Sequence, residues 1–358
     1  MHDPHETPIR HGLDRRVFLQ SASLLGAGVA LSESLLQGQE VPAPLELSNT
    51  GPDKIPRKPF GNTKEKVSVI GLGGYSLGDA PSLNEAIAIV QEAIDAGVNF
   101  FDNAWEYHDG KSEEWMGKAL KGWRDKVFLM TKVCTHGRDK NVGLRQLEES
   151  LQRLQTDHLD LWQIHECVYD NDPERHFAKG GVIEALDEAK QAGKVRYVGF
   201  TGHKNPAIHL KMLSYNYPFD SVQMPLNAFD ASYRSFQKHV LPEASKRGIA
   251  ALGMKSLGGN GQPITQGVVT VEEALRYAMS LPVATTISGI DSLAVLRQNL
   301  AIARGFKPMS TEEMDALQKR CAQAAGDGHL ELYKSTMKYD GDTGREQHSL
   351  PSHKELPL

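Results

Sequence analysis

NFFDNAWEY at 99–107, VFLMTK at 127–132 and LDLWQIH at 159–165 follow one plan: a short apolar run that closes on a chemically active side chain. Side chains alternate along a strand, so Phe100 shares a face with Asp102, Met130 with Lys132, and Leu161 and Gln163 with His165. The runs recur at about thirty-residue intervals, the length of one strand–helix unit with its return loop. Further strand candidates lie outward on both sides, at 67–72, 195–201, 221–226, 249–254 and 284–289. Amphipathic segments separate them. In SLNEAIAIVQEAIDAG at 82–97, Ala86, Ile89, Val90, Ala93 and Ile94 fall on one helical face, with Ser82 placed to cap the start and Gly97 to stop the end. Alternating pairs of this kind across 67–306 predict an α/β chain folded as a (β/α)8 TIM barrel. A doubly wound open sheet would need a G-x-G-x-x-G turn after its first strand, and GLGGYSLGD at 71–79 does not supply one.

The segment before the first strand, IPRKPFGNTKEKVS at 55–68, carries a Gly61-Asn62 turn signal and predicts a β-hairpin over the barrel floor. After the eighth unit, 310–325 reads as one extra helix and the polar, glycine-bearing sequence from 326 onward as loop. The expected organisation is a leader over 1–45, a barrel over 55–330 and a C-terminal tail over 331–358.

Composition narrows the function. The chain has 358 residues, 40% of them hydrophobic, and a formal charge of -5 without a run of Lys or Arg, so it has no electrostatic footprint for nucleic acid. Its cysteines, Cys134, Cys167 and Cys321, are too few for a disulfide framework. In the leader, Arg15 and Arg16 precede an apolar stretch at 22–31 that is too short to cross a bilayer. This arrangement resembles a twin-arginine export signal, which implies engagement of that export machinery, a periplasmic or other extracytoplasmic location and no stable membrane anchor. An uncleaved, disordered tail on a cytoplasmic protein is the alternative. The A-x-A-like cleavage candidate is Val41-Pro42-Ala43.

Reactive groups of a closed barrel come from the C-terminal ends of its strands, where the loops form the open mouth. Asp102, Lys132 and His165 end three successive strands there. A buried Lys132 requires a counter-charge, which Asp102 is placed to give. Tyr107 lies five residues beyond Asp102 and can reach back over the pair, where a nearby ammonium is expected to acidify its phenol. Such a phenol is a proton donor for a carbonyl that gains a hydride, and His165 is placed to donate a hydrogen bond to the same oxygen. Singly, each residue fits a structural role. Jointly, around one mouth, they read as a reaction centre.

FFDNAWEY, TK and QIHE, with VSVIGLGGYSLG and VRYVGFTGH, resemble the aldo-keto reductase family over nearly the whole chain after residue 55. The resemblance implies an NAD(P)H-dependent oxidoreductase that reduces an aldehyde or ketone reversibly, with catalytic residues Asp102, Tyr107, Lys132 and His165. It further implies a dinucleotide extended across the mouth without a Rossmann turn. Gly73, Gly74 and Tyr75 would approach it from the first loop, Asp102, Thr201 and Gly202 from other strand ends, and Gln223 would hold its carboxamide. Met254, Lys255, Ser256, Leu257 and Gly258 after the seventh strand, and Ser288, Gly289 and Asn299 after the eighth, complete the implied cofactor set. Three departures stand out. Met254 replaces the usual stacking aromatic, Thr201 and Gly202 stand where an asparagine is usual, and Gly289, Ile290 and Val295 occupy the stretch that normally brings cations to a 2'-phosphate. NADP(H) stays ahead of NAD(H) on family grounds. Trp105 and His108 flank Tyr107 as expected substrate-pocket residues, and the tail is expected to cover the mouth by family analogy alone.

Two other functions compete. Cys134, His136, His165 and Cys167 are zinc-type ligands gathered beyond two neighbouring strands and suggest a metal-dependent barrel enzyme, but their spacing matches no zinc pattern, and a metal centre leaves Lys132 and Tyr107 unexplained. No metal is therefore expected. A non-catalytic barrel that binds the dinucleotide as a sensor or partner subunit has no need of a tuned phenol. Substrate identity, oligomeric state and pairing of Cys134 with Cys167 are not legible in the sequence.

Overall fold

A computed structural model describes residues 45–134, 139–352 and 355, so the expected leader lies, but for its last residue, outside the described residues. The run expected as a single first strand divides in two. Lys66–Ser68 (β2) pairs antiparallel with Arg57–Pro59 (β1) as the hairpin, and Ile70–Gly73 (β3) opens the barrel. Residue 69 changes the partner because the hairpin must turn beneath the barrel while β3 rises through its wall.

The other expected strands appear within a residue or two of their predicted limits: Phe100–Asp102 (β4), Phe128–Val133 (β5), Leu159–Ile164 (β6), Val195–Thr201 (β7), Ser221–Pro225 (β8), Ala250–Met254 (β9) and Thr285–Gly289 (β10). They close in the order β10-β3-β4-β5-β6-β7-β8-β9, and every neighbouring pair is parallel. This is a (β/α)8 TIM barrel. Helices cover the outside, and the helix Leu83–Ala96 starts with the Ser82 side chain accepting from the Glu85 amide and ends at left-handed Gly97. The extra helix, Thr311–Ala325, opens with a capping box between Ser310 and Glu313.

Two apolar layers result. The larger lies between strands and helices. The smaller fills the barrel: Phe100, Phe128, Met130, Leu161 and Leu252 pack onto Phe60 and Val67 of the hairpin, which thereby plugs the floor. Phe60 and Phe128 meet with ring centroids 4.8 Å apart. With that end filled by hydrocarbon, polar chemistry is confined to the opposite end.

The sequence from 326 onward is not the loop expected of it. It forms short helices at Leu332–Ser335 and Asp342–Gln347 and buries Glu331, Tyr333, Lys334, Asp340 and Arg345. These charges lose their exposure because they pair with one another and with the barrel loops, a condition that composition does not reveal.

Candidate active site

Register brings the expected reactive groups together. Lys132 pairs with Gln163 across β5 and β6, and Asp102 and Lys132 point into the same end of the barrel. Lys132 is buried and donates from Nζ to Asp102 Oδ1 at 2.5 Å, to the Asn103 carbonyl at 2.7 Å and to Tyr107 OH at 3.4 Å. The rings of Tyr107 and His165 lie edge to face with centroids 5.6 Å apart. Thus Asp102, Tyr107, Lys132 and His165 form one cluster.

One expectation about it is corrected. Lys132 was expected to acidify the phenol. Instead burial, with the carboxylates of Asp102, Glu106 and Glu166, pushes Tyr107 well above the usual tyrosine value of 10.0. The Lys132 ammonium is bonded to Asp102, whose carboxylate charge raises the phenol, and desolvation penalises the phenolate most of all. Burial also raises the Asp102 carboxyl despite the pull of Lys132. Tyr107 is therefore held as an O–H donor.

Glu106 belongs to the cluster and was not singled out in the sequence. Its Oε1 bonds His165 Nδ1. Burial works to raise its carboxyl, but His165 outweighs this and holds it below the usual glutamate range. The loop makes the contact by a reversal in which His108 (φ 52°) and Asp109 (φ 55°) are left-handed. A Glu beside the loop tyrosine was the one available signal, and 59 positions of sequence separate it from its partner. A ring that donates Nδ1–H to Glu106 can donate from Nε2 only as imidazolium. Replacing Glu106 by Gln is expected to lower kcat/KM about 10- to 100-fold near neutrality, the usual loss when the partner that orients a reactive histidine is removed. Glu106→Asp, which keeps a carboxylate in the loop, should recover part of that loss. An equal loss in both variants would refute the ion-pair role.

The remaining predicted residues divide. Tyr75, 57% exposed, stands at the rim with its ring centroid 5.3 Å from that of Tyr107. His108 Nε2 is 2.9 Å from the Tyr75 carbonyl and its ring lies against the Tyr75 ring. Trp105, expected in the substrate pocket, instead gives its indole N–H to Glu149 Oε2 of the helix Lys140–Leu154 at 2.7 Å and stacks under Arg153, which ties it to the outer helical layer. Gly73 and Gly74 have a packing reason to be glycine: a Cβ on Gly74 would lie 2.5 Å from the Asp102 carbonyl, and one on Gly73 3.0 Å from that of Ser288. A Cβ on Gly202 would lie 2.3 Å from the Cys167 carbonyl. Thr201 and Ser256 are buried, Leu257 is half-buried, and left-handed Gly258 packs on Pro263.

Gln223 and the β10 side of the mouth are where the implied dinucleotide would be held. Gln223 at the end of β8 is buried, its Nε2 donates to the Met254 sulfur at 3.7 Å, and its Oε1 has no partner among the described residues. That orphaned acceptor suits the N–H of a primary carboxamide. On the β10 side, Asn299 donates to Ser288 Oγ at 3.0 Å and Gly289 is exposed against Ser76. Arg297, on the same helix as Asn299 (Leu293–Ala303), is bound at 2.8 and 2.9 Å by both carboxylate oxygens of Glu92.

The tail crosses this end of the barrel. The Gly341 amide donates to Glu166 Oε2 at 2.8 Å, Lys204 pairs with Asp340, and Asn227 donates to Tyr333 OH at 2.8 Å. Lys334 is fully buried and contacts Asp230 Oδ1 at 2.6 Å, Glu331 Oε1 at 2.8 Å and the Tyr233 carbonyl at 2.8 Å. Cys134, Cys167 and Cys321 are buried free thiols, and burial pushes the first two well above the usual value. His136 of the zinc alternative lies outside the described residues, and among the described residues no group of His, Cys, Asp or Glu is arranged to hold a metal.

The closed barrel with this cluster at its mouth defines a TIM-barrel oxidoreductase. The chain belongs to the aldo/keto reductase family, whose profile matches residues 69–262, and it is an NAD(P)-dependent enzyme of carbonyl reduction. It is 28% identical to the uncharacterized oxidoreductase YqkF of Bacillus subtilis over 75% of this chain and 97% of that one. Among solved structures it resembles the holo form of an aldo-keto reductase from Bacillus halodurans, with TM-score 0.62, 25% identity and coverage of 74% and 96%. It shares its fold with an aldo/keto reductase from Klebsiella pneumoniae in complex with NADP and acetate, with TM-score 0.59, 22% identity and coverage of 72% and 93%.

Proposed function

We propose that the mouth reduces an aldehyde or ketone to an alcohol with Tyr107 as proton donor. The supporting observation is the chain of contacts from Asp102 through Lys132 to the Tyr107 hydroxyl, closing at 3.4 Å. Gln223 would hold the carboxamide of the nicotinamide, and Met254 beside it offers a sulfur face to the ring. When bound, that cofactor supplies the hydride. Tyr107, kept neutral by its surroundings, gives its proton to the carbonyl oxygen, and Lys132 is in place to stabilise the phenolate left behind. His165, paired with Glu106, donates to the same oxygen as negative charge gathers there. Burial by the hairpin-plugged barrel and the tail keeps water from competing for these donors.

NAD(H) serves at least as well as NADP(H) in this reading, although family resemblance favours the latter. A 2'-phosphate needs charged donors, each worth about 1.5–3 kcal/mol, and Arg297 is committed to Glu92. Oxidation of NADH and NADPH by the purified protein with a panel of aldehydes tests both points. Turnover with kcat/KM for NADH equal to or above that for NADPH is expected. A preference for NADPH beyond about 100-fold, roughly the least that two such bonds would give, would overturn the cofactor assignment, and no turnover with either would overturn the reaction. Arg15, Arg16 and the apolar run behind them support an exported enzyme.

A further inference from the structure

On the loop after β4, His108 (φ 52°), Asp109 (φ 55°) and Gly110 (φ 91°) are left-handed in succession. Side chains disfavour such backbone, which persists only where surrounding contacts over-determine it. Within the loop, the Tyr107 amide donates to the Ala104 carbonyl and the Asp109 amide to the Glu106 carbonyl, both at 3.2 Å, the long end of the range for such bonds. A stronger restraint comes from outside. Arg153, near the end of the helix Lys140–Leu154, donates from Nη1 to the Trp105 carbonyl at 2.8 Å and to Glu113 Oε2 at 3.2 Å. Its Cζ lies 5.6 Å from the Trp105 ring centroid, and a Cβ added to Gly110 would stand 2.5 Å from it. One side chain thus braces the loop before Glu106 and again after Asp109.

The same side chain is tied to the strand that carries Lys132. Glu113, on the helix Lys111–Ala119, is fully buried, and its Oε1 accepts from Thr131 Oγ1 at 2.6 Å. Thr131 precedes Lys132 on β5, and the Trp105 amide donates to the Lys132 carbonyl at 3.2 Å. A closed circuit therefore runs from Trp105 through Arg153, Glu113 and Thr131 to Lys132 and back. Thr131 and Lys132 point to opposite faces of β5, so the circuit passes behind the barrel wall while the chemistry sits in front of it. The bonds and ion pairs of Arg153 go to Trp105, Glu113 and Glu149, and none of these belongs to the implied cofactor set. We propose that Arg153 is a positioning residue for the reduction: through the Trp105 carbonyl and Glu113 it fixes the loop so that the Tyr107 hydroxyl stays between Lys132 and the substrate carbonyl. This rests on the carbonyl-reductase reading and adds to it a residue of the outer helical layer.

Removing Arg153 alone would leave Glu113, whose carboxyl burial already raises, without its cation. The test therefore uses the double variant Glu113→Gln, Arg153→Met, which keeps an acceptor for Thr131 and leaves no buried charge. Its kcat with a saturating aldehyde is expected to fall about 10- to 100-fold, the scale of a misplacement of about 1 Å at a reacting group, while the dissociation constants of NADH and NADPH stay within about twofold. The same two changes made in Tyr107→Phe should cost no more than about a further twofold, because the hydroxyl they misplace is already gone. An equal loss in both backgrounds would show a structural role away from Tyr107 and overturn the proposal, as would an unchanged kcat. If the wild-type protein turns over no aldehyde, the reductase reading fails separately. Hydrogen–deuterium exchange then decides the brace: amides of 104–110 should exchange about 10-fold faster in the double variant, the scale of one charge-assisted bond, with those of β5 and β6 unchanged. Equal rates at 104–110, or a rise that extends through β5 and β6, would overturn it.

Discussion

Tyr107→Phe should lower kcat by about two to four orders of magnitude, the usual contribution of a positioned general acid, while dissociation constants for NADH and NADPH stay within about twofold. The hydroxyl is the only atom removed. Lys132 keeps its bonds to Asp102 and the Asn103 carbonyl, so the buried ion pair stays satisfied and the fold is not at risk. Stopped-flow turnover of NAD(P)H with a saturating aldehyde measures the first quantity and cofactor fluorescence the second. The pH profile adds a sign. Because the phenol is held well above 10.0, reduction by wild type should show no loss from phenol ionisation between pH 7 and 10. An alkaline limb in that range that vanishes in Tyr107→Phe would show instead that Lys132 acidifies the phenol. Equal kcat in the two proteins would remove Tyr107 from the chemistry.

Lys334→Met should destabilise the protein by about 3–5 kcal/mol, the cost of leaving a buried charge without its partner. Asp230 and Glu331 are both fully buried around this ammonium. Asp230 is also the anchor for the Ser235 hydroxyl and the Phe236 and Gln237 amides, so the loop after β8 loses order with the tail. Burial already raises the Glu331 carboxyl, and Lys334 opposes that rise. Without Lys334 the Glu331 carboxyl takes up a proton more readily in the folded state than in the unfolded one. The sign of the linkage is then that the variant's deficit grows as pH rises above the unfolded carboxylate range and shrinks as pH falls through the folded values. Urea unfolding at several pH values measures this, and limited proteolysis should find the tail cut first. A loss below about 1 kcal/mol would place the network among weak surface pairs.

Glu331, Lys334, Asp340 and Arg345 show why the tail was read as loop: in sequence they are simply polar, and burial of such residues depends on partners supplied by remote loops. The reaction cluster was legible for the opposite reason. Asp102, Lys132 and His165 end strands whose apolar alternation fixes the face on which they emerge, so their meeting follows from local pattern and the parallel rule of the barrel. Trp105 occupies the same loop as Tyr107, yet its direction is set by Glu149 and Arg153 on a helix more than 40 positions away, and the sequence could not say that it turns outward.

By itself, the sequence determined the strand–helix alternation, the closed barrel, and the four side chains at its mouth, because side-chain period and strand ends are properties of neighbouring residues. Only the tertiary structure decided that Glu106 meets His165, that the Tyr107 phenol is driven up rather than down, and that Lys334 of the tail is buried between Asp230 and Glu331. Each of these depends on charge and desolvation summed over residues distant in the chain, and such sums exist only once the chain is folded.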